Sequence, residues 1–369
     1  MQYTIAVVQG DGIGPEVCSA AVAVLQAVPG LANKLDFREY PAGAEHYRQS
    51  GDAFPAATFE ACKAAHAILH GAAGLPGVTY PDGTEAGLDF GLQLRFRLDL
   101  YANLRPIKLY PGIVSPLRHF SPGQIDYLVL RENTEGMYAS RSGGTLLRGE
   151  VATDTMLITR KGVERITRRA FELARRRNGA LRDGKRRVTL CDKANVLRSY
   201  AFFRKVFNEV AASYPDIETD YAYVDAMTAY LVERPDFYDV IVAENLFGDI
   251  ISDLAAATVG GMGMSPSGET GDNHGFFQAS HGSAPTIAGK NIANPHGTIL
   301  SAAMMLRHSL NLDDEASSIE AAVAAVLAAG ATTADLGGEL GTRAAAEAII
   351  DAIRAIHWAA AHRVQMHWG

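Results

Sequence analysis

The 369-residue chain has no apolar run near the roughly 20 residues that a membrane-spanning helix needs. Its three cysteines, Cys18, Cys62 and Cys191, are odd in number, far apart and without CxxC spacing. Neither a disulfide framework nor a zinc site is expected, and a reducing cytoplasm is the expected compartment. A basic excess is missing too: 34 Lys and Arg stand against 41 Asp and Glu, a formal net charge of -7. Nucleic acid and anionic membranes therefore find no long-range attraction. Met1-Gln-Tyr-Thr-Ile5 lacks the basic start of a secretory signal and leads straight into a strand pattern. What is present suits a globular enzyme of two domains, with 48% hydrophobic and 20% charged residues.

The organising stretch is Glu244-Asn-Leu-Phe-Gly-Asp-Ile-Ile-Ser-Asp253. Asp239 to Glu244 reads as a buried strand and Gly248 as a short turn. A helix then opens with Asp249 and Asp253 four residues apart, hence on one face. Acids in a first helical turn suit the macrodipole, and an isolated Asp-x3-Asp carries no more than that. Here a third acid, Asp225, closes another apolar segment, Tyr221 to Val224. Three carboxylates at the ends of core elements make a hard oxygen set of the kind that holds Mg2+ or Mn2+. An anionic substrate is expected beside it.

Along the chain, Tyr3 to Gln9 and Gly10-Asp-Gly-Ile-Gly-Pro-Glu16 read as strand, glycine turn and helix, with Pro15 at a first helical position. The spacing is GxGxG rather than GxGxxG, and no acid closes a second strand about 20 residues on, so this is not a Rossmann fingerprint. Ala67 to Leu69 is another buried strand, and Gly71 to Gly87 a long Gly- and Pro-rich loop. Leu88 to Tyr101 has helical periodicity, with Arg95 and Asp99 spaced as an i,i+4 surface pair. Arg105 follows in Asn103-Leu-Arg-Pro106, and Arg131 ends a strand shortly before Tyr138 and a Ser/Gly-rich segment. Leu146 to Leu157 reads as a hairpin, and Arg160 to Arg177 as a basic helix whose Arg175-Arg-Arg177 end is a solvated face.

Lys193 lies at the C-terminal end of the next strand. That edge of an α/β sheet is where ligands bind, and a lysine among other charges can shift its pKa enough to act as a base. Val259 to Asp272 and His281 to Pro295 read as Gly- and Ser-rich loops. Such a loop can bring backbone N–H groups to phosphate oxygens, and Asn294 has the donor and acceptor that an adenine edge needs. The C-terminal part is helical.

These motifs together resemble the metal-dependent β-decarboxylating dehydrogenases: isocitrate, 3-isopropylmalate, homoisocitrate and tartrate or D-malate dehydrogenases. The resemblance runs from Gly10 to about Gly338, where Thr333-Ala-Asp-Leu-Gly-Gly338 also looks familial. It implies an isopropylmalate dehydrogenase-like α/β fold, a twisted mixed sheet with helices on both sides. It implies a large cofactor-side domain from residues 1–104 and 260–369, and a small domain from residues 105–259 with a dimerisation hairpin and the metal site. A homodimer with shared active sites is implied as well. By this resemblance Arg95, Arg105 and Arg131 clamp substrate carboxylates, and Asp225, Asp249 and Asp253 hold Mg2+ or Mn2+. Lys193 and Asp225 come from the second subunit. NAD lies against His281, Gly282, Ser283, Ala284, Pro285, Thr286 and Asn294. The implied reaction takes hydride from C2 of a 2-hydroxy acid while Lys193 accepts the hydroxyl proton. The carboxylate β to the new carbonyl then leaves as CO2, and Tyr138 protonates C3.

Substrate choice within the family depends on the residues before Arg95, here Leu88-Asp-Phe-Gly-Leu-Gln-Leu94. Isocitrate enzymes tend to have a serine where this chain has Asp89, whose charge would repel a third carboxylate. Isopropylmalate enzymes have a glutamate and paired leucines where this chain has Leu88, Gly91 and Leu92. Leu88, Phe90 and Leu92 lead to the expectation of an uncharged 3-substituent on malate, with Gly91 giving room. The expected enzyme is most like 3-isopropylmalate dehydrogenase, with tartrate/D-malate or isocitrate dehydrogenase as the alternative. Thr286-Ile287 offers no positive charge to a 2′-phosphate, which favours NAD over NADP. Gln278 stands where relatives usually have glutamate. A non-catalytic regulatory paralogue is disfavoured because Tyr138, Lys193 and all three aspartates are present.

Overall fold

The computed structural model describes residues 2–81, 83–140 and 143–365; Asp82 of the Gly/Pro-rich loop and Arg141 and Ser142 of the Ser/Gly-rich segment lie outside the described residues. In chain order the first part comprises β1 (Tyr3–Gly10), α1 (Gly14–Ala27), β2 (Leu35–Glu39), α2 (Ala44–Ser50), α3 (Ala56–Ala64), β3 (Ala67–Ala72), α4 (Asp89–Arg97), β4 (Ala102–Lys108) and β5 (Asp126–Glu132). A hairpin of β6 (Thr145–Leu147) and β7 (Val151–Thr153) follows, then α5 (Arg160–Arg176), β8 (Arg187–Asp192), α6 (Arg198–Ala211), β9 (Glu218–Tyr223), α7 (Val224–Glu233), β10 (Val240–Ala243) and α8 (Asn245–Ala257). The chain ends with β11 (Pro266–Thr270), β12 (Gly275–Ala279), α9 (His296–Ser309), α10 (Asp313–Ala328) and α11 (Thr342–Gln365).

Ten strands form one mixed sheet in the order β2-β1-β3-β12-β11-β4-β5-β10-β8-β9. Pairing is parallel from β2 through β12 and again from β5 through β9, and antiparallel at β12-β11, β11-β4 and β4-β5. Two parallel blocks running in opposite directions are thus joined by antiparallel strands. The stretch Val259 to Asp272, expected as loop, contains β11 in the middle of this sheet. Its Pro-Ser-Gly-Glu-Thr sequence lacks the β-branched alternation that marks a strand, and tertiary pairing overrides that weak propensity.

Directly opposed residues share a face, so the register Asn103↔Arg131 and Glu269↔Asn103 puts these three side chains, with Arg105 and Ser267 two residues away, on one side. Leu104, Pro106 and Leu128 fall on the other side. α4, through Arg95 to Glu269, and α8, through Asn245 to Arg131, lie on the first face, while α5 and α9 lie on the apolar second face with Leu104, Pro106 and Leu128. Phe90 and Leu94 of α4 are fully buried, Phe90 against His70 and Phe276 with ring centroids 4.9 and 5.7 Å away. Burying two such side chains contributes roughly 1.5–3 kcal/mol each. That anchoring fixes one wall of a cleft whose other wall is α8.

The expected helix over Leu88 to Tyr101 stops at Arg97, and Asp99 takes a left-handed conformation with φ 50°. Gly248 is not a turn but lies inside α8, which begins at Asn245. No helix among the described residues is long and apolar enough to cross a membrane. The three cysteines are buried and unpaired.

Candidate active site

α8 begins where it does because Glu244, just past β10, caps it. Its carboxylate accepts from the backbone N–H of Leu246 (3.1 Å) and Phe247 (2.9 Å) and from the Tyr200 hydroxyl (2.7 Å). One turn in, Gly248 permits close approach of β5: a Cβ there would stand 2.7 Å from Arg131 Cβ and Cγ. Arg131 therefore lies flat along α8. Its Nε and Nη2 donate to Asn245 Oδ1 at 3.0 and 2.7 Å, and its Nη1 donates to Asp249. Burial, with the nearby Arg105 and Arg95 charges, pushes the Arg131 guanidinium pKa down to about 10, so it still carries its charge at neutral pH.

Arg105 of β4 reaches the same helix. Its Nη1 donates to Ser252 Oγ (2.7 Å) and Asp253 Oδ1 (3.0 Å), and its Nη2 stands 3.2 Å from Asp249 Oδ1. Burial raises the Asp253 carboxyl pKa, against the opposing Arg105 charge. The Tyr138 hydroxyl donates to Asp249 Oδ2 at 3.1 Å. Burial, followed by the Asp249 charge, raises the phenol pKa, so the proton stays on Tyr138 at neutral pH.

On the facing wall Arg95 does not pair with Asp99. Its Nη2 and Nε donate to Glu269 Oε1 and Oε2 at 2.7 and 3.1 Å, while Asp99 pairs with Arg165 instead. Leu88, Leu92, Arg95, Arg131, Met137, Tyr138, Asp154 and Asp249 line a cavity of about 590 Å³, a volume suited to a small ligand. Asp89 is not in that wall; it lines an adjoining cavity with Gln93, Phe96 and Arg97. A second adjoining cavity, of about 230 Å³, is walled by His70, Leu88, Gly91, Arg95, Arg105, Ser280, His281 and Gly282 among others.

Two buried polar atoms on that second wall, Ser280 Oγ and His281 Nε2, have no partner among the described residues. Burial lowers the His281 pKa and keeps the ring neutral. With Nδ1 hydrogen-bonded to the Gly282 carbonyl, Nε2 is left as a bare acceptor. Ser283 is buried and Pro285 and Thr286 are exposed, and Ala284 between them is left-handed with φ 39°. The glycine turn of the N-terminus holds this loop: Ile13 N–H donates to Ser283 O at 2.8 Å, and a Cβ on Gly12 would fall 2.0 Å from that oxygen. A nucleotide fits the orphaned acceptors and the exposed turn. Asn294 is less open than expected, since its amide donates to Asp335 (2.9 Å) and accepts from the His296 backbone N–H (2.9 Å).

Lys193 and Asp225 are elsewhere on the chain. Lys193 Nζ is 2.5 Å from Asp225 Oδ1, the acid being 67% exposed, and neither residue lines the cavities above. Hydrogen bonding to Lys193 lowers the Asp225 pKa. Among the described residues no three His, Cys, Asp or Glu side chains of one chain gather as a metal site. The structure brings Asp249 and Asp253 together and leaves Asp225 outside. Sequence reasoning missed Glu269, Asn133, Asn245 and Ser252, all polar and buried. An acid between two glycines, Gly268 and Gly271, was the available signal for Glu269.

A family model described as isocitrate/isopropylmalate dehydrogenase matches residues 4–353. A 3-isopropylmalate/3-methylmalate dehydrogenase of Methanocaldococcus jannaschii is 45% identical over 353 residues, covering 95% of this chain and 99% of that protein. A 3-isopropylmalate dehydrogenase of Corynebacterium aurimucosum is 45% identical, covering 93% and 98%. Among solved structures, an isocitrate dehydrogenase from Methylococcus capsulatus superposes with TM-score 0.85 at 38% identity, covering 96% of this chain and 100% of that one. A β-decarboxylating dehydrogenase from Thermococcus kodakarensis gives 0.77 at 40%, covering 96% and 97%. The α4–α8 cleft thus sits in a chain matched along almost its whole length, and the protein belongs to the isocitrate/isopropylmalate dehydrogenase family.

Proposed function

We propose that the protein oxidises and decarboxylates a malate with an uncharged 3-substituent, using NAD and Mg2+ or Mn2+, and that its reaction is most like that of 3-isopropylmalate dehydrogenase. The observation that carries this reading is the convergence of Arg95, Arg105 and Arg131 on one cleft with Tyr138 and Asp249. Three guanidinium forks suit two carboxylates and a hydroxyl. Leu88, Leu92 and Met137 supply an apolar wall for the substituent. That wall favours an alkylmalate over isocitrate.

Asp249 and Asp253 are hard oxygen donors one helical turn apart, and they fit a divalent cation, with Asp225 of a second copy as the third ligand. Bound there, the cation would acidify the substrate hydroxyl and withdraw charge from the keto acid. The arginines hold the substrate so that its C2 hydrogen faces the wall at His281 and Gly282, where NAD would accept hydride. Lys193 of the second copy takes the hydroxyl proton. After CO2 leaves, the electron pair left at C3 takes the Tyr138 proton, which the raised pKa of that phenol holds ready.

The two-domain division at residues 104/105 and 259/260 puts the His281 wall in the larger unit and α8 in the smaller. A homodimer is supported by apolar side chains left exposed on the hairpin and on the α7–α8 side: Leu146 at 73%, Leu147, Val151, Val232 and Ile250. The unpaired buried cysteines suit a reducing cytoplasm.

The test is NADH formation with Mn2+ or Mg2+ across 3-isopropylmalate, 3-methylmalate, D-malate, tartrate and isocitrate. Turnover of a 3-alkylmalate that stops on chelation is expected. Silence with every alkylmalate would overturn the reading.

A further inference from the structure

Glu269 of β11 is a buried carboxylate, its side chain 1% exposed, and it lies behind Arg95, which lines the cleft. Its oxygens accept from Arg95 Nη2 (2.7 Å), Arg95 Nε (3.1 Å), Asn133 Nδ2 (2.8 Å) and Asn103 Nδ2 (3.4 Å). Burial opposes the charge on Arg95, but the Glu269 attraction outweighs it and the guanidinium pKa is raised. Glu269 grips the Nε edge of the fork, and among the described residues nothing accepts from Nη1, which leaves that side for a ligand.

Each guanidinium in the cleft thus has its own counter-ion: Glu269 for Arg95, Asp249 for Arg131 and Asp253 for Arg105. The three guanidinium charges are therefore cancelled before a substrate enters. A dicarboxylate arriving with one divalent cation adds no net charge, whereas a tricarboxylate adds an uncompensated negative charge beside Leu88, Leu92 and Met137. Asp89, to which the sequence pointed for this discrimination, faces the adjoining cavity. Asp154 adds a like charge at the exposed rim, where salt screens it.

We propose that Glu269 is the specificity-determining residue of the cleft, cancelling the Arg95 charge so that a dicarboxylate with an uncharged substituent is admitted and a third carboxylate is refused. This rests on the dehydrogenase reading above.

The test compares binding of propane-1,2,3-tricarboxylate and 2-isopropylsuccinate, neither of which carries the reacting hydroxyl, to protein stripped of divalent cations on a chelating resin. Calorimetry on the wild-type protein should show the tricarboxylate bound at least about tenfold more weakly. Glu269→Gln should bring the ratio near one, and Glu269→Asp, which keeps the charge, should hold it near the wild-type value. Leu92→Lys adds a cation to the wall without touching the buried pair and should favour the tricarboxylate by about tenfold.

Equal binding of both probes by the wild type would overturn the proposal. So would an unchanged ratio in Glu269→Gln or Leu92→Lys, or equal loss of discrimination in Glu269→Gln and Glu269→Asp. Turnover of 3-isopropylmalate by the wild type, measured in parallel, decides the dehydrogenase reading separately. With that activity present, Glu269→Gln should also raise the ratio of kcat/KM for isocitrate to that for 3-isopropylmalate.

Discussion

The cleft between α4 and α8 and the exposed end of β8 hold two parts of one candidate catalytic set under opposite physical conditions. In the cleft the three guanidinium groups are buried and held by fixed neighbours: Arg131 by Asn245 and Asp249, Arg105 by Ser252 and Asp253, Arg95 by Glu269. At the β8 end Lys193 and Asp225 have a single ion pair, with the acid 67% exposed. An isolated pair with so exposed an acid adds little to stability and is easily exchanged for other partners. The buried network is pre-organised within one chain. The exposed pair is free to be re-partnered, which the proposed role of these residues in a neighbouring copy requires.

The largest expected effect tests that contrast directly. Tyr138→Phe and Lys193→Ala should each lower kcat by about 10²–10⁴-fold. Mixing the two variants under conditions of subunit exchange should restore roughly a quarter of wild-type activity, because half of the dimers are then mixed and each has one intact site. No restoration would place Lys193 and Tyr138 in the same chain's site. A smaller loss is expected from Gly248→Ala, which forces α8 off Arg131: about 10²-fold in kcat/KM from misplacement and about 1–3 kcal/mol of stability from overpacking. Unchanged kinetics would show that Arg131 does not depend on its bed along the helix.

Next comes Glu132, one residue past Arg131, whose pKa is pushed up by burial from 4.5 to about 7. Between those values the native state holds a proton that the unfolded chain has lost, so stability falls as pH rises through this window. Glu132→Gln should flatten that decline, by an order of a few kcal/mol, in denaturant unfolding followed from pH 4.5 to 7. An unaltered slope would assign the decline to other groups. Tyr200→Phe should be mildest, about 1 kcal/mol in the unfolding midpoint for the lost bond to Glu244. Its ring can keep its stacking on Phe247, 4.7 Å away.

Much of this site was legible because charge at the ends of core elements is expensive and therefore conspicuous. Asp249 and Asp253 on one helical face, Arg131 leaving its strand and Lys193 ending another could all be read from spacing. The resemblance supplied the fold class and the roles. Partners across long sequence distance could not be read: nothing near Arg95 points to Glu269, 174 residues on. β11 was hidden for a local reason, since Pro266, Ser267 and Gly268 carry turn chemistry and only pairing with β4 and β12 makes them strand. Gly248 was misread as a turn for a similar reason; its missing Cβ serves the approach of Arg131 rather than a reversal of the chain.

The position of the β11–β12 hairpin also has a consequence for how the protein is made. These strands lie between β3 and β4 in the sheet, yet they come more than 130 residues after β4 in the chain. On the ribosome, therefore, β1–β3 and the block from β4 to β10 emerge as two sheet fragments with no hydrogen bonds between them. The last strands synthesised are the ones that join them. Until residues 266–279 are available, β3 and β4 each present an open edge, and this interval is when the nascent chain is most exposed to edge-to-edge mispairing.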